Sequence, residues 1–107
     1  MTLSDSTKRA MATCPDEAKI VRKIIRTLKE AGDPVTEVFD GEEYVQVSGE
    51  HSILEVVFSV DQSRLYTKSG KQVLIILGNG EDALSDYSTD LEETLTPFWE
   101  WHTKTFG

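Results

Sequence analysis

The 107 residues include one cysteine, Cys14, two histidines and three prolines. A lone thiol excludes an intramolecular disulfide framework and a cysteine cluster for zinc. His51 and His102 lie far apart, in no H-x-x-x-H or H-x-x-E-H arrangement, so a metal centre built on them is not expected. Pro15, Pro34 and Pro97 are scattered, and no Pro-, Gly- or Ser-rich stretch reads as a linker. A flexible leader over residues 1–13 and a single domain over 14–107 are therefore expected.

Long apolar runs are also missing. Val73 to Leu77 is the longest, far below the roughly 20 residues of a membrane span, and the amino terminus lacks the apolar core of a secretory signal. A cytoplasmic protein without a membrane partner is the expectation. No cofactor motif stands out: Gly78-Asn79-Gly80 lacks the third glycine of a dinucleotide loop and the Gly-Lys-Ser/Thr of a P-loop. Glu81, Asp82 and Asp86 beside it would repel a phosphate, so the glycines are read as a turn.

What the chain has is charge, unevenly placed. Residues 1–31 carry seven Lys or Arg against four Asp or Glu, giving +3, whereas residues 32–107 carry four against fifteen, giving −11. Such asymmetry bears on partners rather than on fold.

Thr13-Cys14-Pro15-Asp16-Glu17 has the features of a helix start: a capping side chain, proline where its missing N–H costs nothing, and carboxylates at the positive end. The helix is expected to reach about Ala31 and stop at Gly32. Ala18, Val21, Ile24, Ile25 and Leu28 form its apolar stripe, and Lys19, Arg22, Lys23, Arg26 and Lys29 recur on the other side.

Beyond Gly32 the period becomes strand-like. Val35–Phe39 and Glu43–Ser48 flank the turn dipeptide Asp40-Gly41, and Ser52–Val60 alternates as a third strand. Arg64–Lys68 and Gln72–Leu77 follow after short turns, and short connections pair strands antiparallel. Thr89 with Glu92 reads as a capping box opening a carboxyl-terminal helix that Pro97 kinks or breaks, with Thr96 as a new cap. The fold class expected is α+β: an amino-terminal helix, an antiparallel meander of four or five strands and a carboxyl-terminal helix, the helices packed on one face of the sheet.

Candidate chemistry is sparse. Cys14, at a helix start near cations, would have its thiolate favoured, yet the sequence places no base beside it. The carboxylates match no calcium loop and no pair of them can be assigned as general acid and base, so there is no catalytic constellation and no enzyme is expected. Two surfaces remain. One is the cationic ladder Lys19, Arg22, Lys23, Arg26 and Lys29, an electrostatic contact for phosphates that lacks stacking aromatics. The other is Phe98-Trp99-Glu100-Trp101, whose aromatics cannot all face one core and suit a protein partner or self-association. The leading expectation is a protein-interaction domain without catalysis. Alternatives are an acidic DNA mimic using Asp86, Asp90, Glu93 and Glu100 with Glu37, Asp40, Glu42 and Glu43, a nucleic-acid binder through the basic helix, and a small cysteine- or metal-dependent enzyme.

Overall fold

The computed structural model describes residues 3–107. Four helices, α1 (Asp5–Thr13), α2 (Pro15–Glu30), α3 (Glu50–Val57) and α4 (Thr96–Phe106), pack against five strands. These are β1 (Val35–Phe39), β2 (Tyr44–Gln46), β3 (Gln62–Thr67), β4 (Gln72–Ile76) and β5 (Leu84–Tyr87), in the order β2-β1-β3-β4-β5, every neighbouring pair antiparallel. The meander is interrupted once: α3 carries the chain from β2 back across the sheet, so that β3 joins the free side of β1.

The pleat separates two surfaces. Val38, Leu65 and Val73 stand in register and, with Ile75, are fully buried under the helices. Phe39, Arg64, Leu74 and Asp86 form the next register row, on the face that the helices leave to solvent. Ile20, Val21, Ile24 and Leu28 of α2 are the centre of the covered side, joined there by Leu54, Leu95 and Phe98.

Helix α2 begins at Pro15 and ends, as its glycine signals, in a Schellman turn. Gly32 at φ +79° lets its own N–H reach the Lys29 carbonyl and the Asp33 N–H reach that of Leu28, both at 3.0 Å. The α+β class with helices against the sheet is thus observed, but four local expectations are corrected.

First, residues 5–13 are the helix α1 and not an extended leader; residues 1 and 2 lie outside the described residues. Ser4 caps it by accepting the Thr7 N–H, and the Glu55 carboxylate of α3 accepts from the Ser4 N–H and from the hydroxyls of Ser4 and Thr7, the latter two at 2.8 Å. Met11 then joins the core. Second, Ser52–Val60 is no strand. Its run of neighbouring apolar residues satisfies a helical period as well, and α3 buries Ile53, Leu54 and Val57 against α2 and β1, with Phe58 following.

Third, the fifth strand is Leu84–Tyr87, beyond the last strand expected, Gln72–Leu77; its two central residues are exposed, so its alternation is weak in the sequence. Fourth, the capping box of Thr89 with Glu92 is not formed. Those residues enter a short 3-10 turn, Thr89–Leu91, and α4 starts afresh at Thr96 with Pro97 in its first turn, where proline costs no hydrogen bond. Thr96 is the first helical residue, Leu95 taking the cap position without a side-chain bond.

Candidate functional site

The inward apolar stripe of α2 forces its cations outward, and α4 determines what they meet. Phe98, fully buried, anchors α4 beside α2. Trp101 stands one turn further on, half-buried, its ring centre 5.8 Å from that of Phe98 and 5.7 Å, edge-on, from that of Phe106. The result is a depression of about 230 Å³ lined by Lys19, Arg22, Lys23, Arg26 and Trp101. The two surfaces singled out in the sequence therefore meet through one tryptophan, Trp101, which lies 75 residues beyond Arg26 along the chain.

One side of the depression is braced. Arg26 donates from Nε and Nη2 to the two oxygens of Glu50 at 2.8 and 3.1 Å, and Arg22 Nη1 lies 3.8 Å from the same carboxylate. The hydrogen bond from Arg26 holds the Glu50 carboxyl below its usual range, and Glu50 raises the Arg26 guanidinium in return. So exposed a pair contributes at most about 1 kcal/mol; its larger effect is to orient the guanidinium. Lys19 and Lys23 form no ion pair among the described residues. Lys29, the fifth member of the ladder, faces a different depression beyond Arg26.

The other aromatic candidates are placed apart from the cations. Trp99 is half-buried on the opposite flank of α4, 6.2 Å from Tyr87, and its indole N–H is buried without a partner among the described residues. His102 packs edge-on against Trp99 and tilted against Phe106, and bonds through Nε2 to the Glu81 carbonyl at 2.6 Å, tying α4 to the turn after β4. His51 is exposed in the first turn of α3.

Cys14 is not activated. Its thiol donates to the Ala10 carbonyl at 3.1 Å, and burial, followed by the nearby Glu17 carboxylate, pushes the thiol up, opposite to the shift a helix start and cations would produce. Gly78-Asn79-Gly80 already has its anion: Glu17, buried in α2, accepts the Gly78 N–H at 2.6 Å. Gly78 holds φ +98°, which leaves that N–H pointing at the carboxylate. Asp40 likewise turns inward, accepting the Glu42 and Glu43 N–H groups at 2.9 and 2.8 Å within the hairpin loop. Glu37 accepts from Gln46 across β1 and β2. No group of three or more metal-ligating side chains occurs among the described residues.

One surface escaped the sequence reading. On the uncovered face of the sheet the rings of Phe39 and Tyr44 lie 4.7 Å apart and those of Tyr44 and Tyr66 5.8 Å apart. Tyr44 is 60% exposed, and Arg64 beside them is steadied by Gln72 at 3.3 Å. The hairpin turn carried the signal, since pairing across Asp40–Glu43 brings Phe39 opposite Tyr44.

Among the described residues no helix is long and apolar enough to cross a membrane. Comparison of the chain with protein-family models, curated proteins and solved structures returns no match.

Proposed function

We propose that the chain is a binding domain without catalysis, and that the depression between α2 and α4 holds an acidic segment of a partner protein. The observation that carries this is the convergence of Lys19, Arg22, Lys23 and Arg26 on Trp101. Cations alone attract anions weakly in water and lose them to salt; a partly desolvated tryptophan beside them adds apolar contact and limits the registers in which a ligand can bind. The Cys14 thiol, bonded to the Ala10 carbonyl and pushed up by burial, supports a reading without thiol chemistry.

An acidic polypeptide is preferred over nucleic acid because the rest of the domain is strongly negative. A phosphate backbone longer than the depression would meet that field, whereas a short acidic segment ends within it. The test is fluorescence anisotropy with a labelled Asp/Glu-rich peptide containing one aromatic residue, run beside a labelled oligothymidylate of equal charge. Binding of the peptide should weaken as salt rises and fall about tenfold or more in Lys19→Glu/Lys23→Glu, both substitutions lying on the outer face of α2. Trp101→Ala should lose affinity for the peptide at every salt concentration. Equal binding by wild type and the double variant, or tighter binding of the oligonucleotide, defeats the reading.

A further inference from the structure

The Arg26–Glu50 pair has a second hollow on its other side. About 430 Å³ lies between the last turns of α2, strand β1 and the segment that joins β2 to α3. Its floor is apolar, formed by Ile25, Val35, Val47 and Ile53, while Lys29 and Arg26 stand at the rim. Ile25, Val35 and Ile53 belong to the core, so the floor is held by the fold and does not depend on a mobile loop.

We infer that this hollow binds a small monocarboxylate with a short aliphatic tail. The volume falls in the range of small-molecule sites, about 300–1,000 Å³. The charge at the rim selects a single negative group. Glu50 already neutralises Arg26, and Lys29 forms no ion pair among the described residues, so the rim carries one positive charge in excess. A monoanion balances it; a dianion such as a phosphate monoester would face the Glu50 carboxylate across the same rim. No aromatic side chain lines the hollow, so a flat ring finds nothing to stack on, and an aliphatic tail is the complement of Ile25, Val35, Val47 and Ile53. The carboxylate meets Lys29 and the guanidinium N–H groups of Arg26 that Glu50 leaves open.

Two-dimensional 1H–15N NMR of the full chain, titrated with sodium octanoate, tests this. Saturable shifts centred on Val35, Val47 and Ile53 are expected, with a Kd below about 1 mM, and 1-octanol should bind about tenfold more weakly. Inorganic phosphate should produce no saturable shift there. Lys29→Gln, at an exposed position that does not contribute to the core, should weaken octanoate about fivefold and leave 1-octanol unchanged. Lys19→Glu/Lys23→Glu, which defines the acidic-segment site, should leave octanoate binding intact, so the two readings fail separately. Octanoate that does not saturate by about 10 mM, shifts centred on Trp101 or on the Tyr44 face, or equal octanoate affinity in Lys29→Gln would overturn the inference.

Discussion

The two faces of the sheet hold their aromatic residues in opposite circumstances. Beneath the helices, Phe98 is fully enclosed, Trp99 and Trp101 pack on it, and Phe106 packs in turn on Trp101. On the other face, Phe39, Tyr44 and Tyr66 touch one another but have only Arg64, Leu74 and their polar neighbours beside them. Burial, with Tyr44 as the next contribution, pushes the Tyr66 phenol up even there. The lesson is that residue type alone does not distinguish a structural aromatic from an available one; the elements that cover it do. A ring on the covered side carries stability, whereas a ring on the uncovered side contributes little to it and is free to serve contact.

That contrast is sharpest in a pair of variants. Phe98→Ala should destabilise the fold by about 3–5 kcal/mol, as truncation of a fully enclosed ring leaves a cavity, while Tyr44→Ala should cost under about 1 kcal/mol. Urea unfolding of the two proteins measures both, and similar losses would break the comparison. The covered side also contains a charged hydrogen bond, between Glu17 and the Gly78 N–H. Glu17→Ala should cost about 1–3 kcal/mol by leaving that N–H without its acceptor, and thermal unfolding reads the loss.

The smallest effect lies at the margin of the covered side. Hydrogen bonds from the Ser4 N–H, then from the Thr7 and Ser4 hydroxyls, hold the Glu55 carboxyl below its usual range. A depressed value in the folded state means that its contribution is complete above the unfolded pKa, about 4.3, and disappears as the pH falls through the folded value. Amide protection across α1 should therefore decline below about pH 4 while that of α2 and β3 persists, and hydrogen exchange followed by NMR distinguishes a local release from a global one.

These elements differ in how far the sequence revealed them, and the reasons are physical. Helix α2 was legible because its 16 residues repeat one period and carry both end signals, Pro15 and Gly32. The apolar residues of Ser52–Val60 fit a period of 2 and a period of 3.6 alike, and packing against α2 and β1 decided between them. Leu84–Tyr87 was missed because an edge strand with exposed central residues has little alternation to detect. Both halves of the candidate site, the ladder and the Phe98–Trp101 segment, were visible singly. Their union was not, since it depends on the angle at which α4 crosses α2, and the hollow beside Lys29 depends in addition on α3 being a helix.

The bond from Glu55 to the cap of α1 also ties a short helix to a distant one. Nine residues are fewer than the roughly 12–15 at which even a favourable isolated helix becomes marginal in water. Helix α1 is supported by a carboxylate about fifty residues downstream, beside its own Ser4 cap and its packing on α2, so the docking of α3 adds to its stability. Contact between distant segments thus substitutes for the length that α1 lacks.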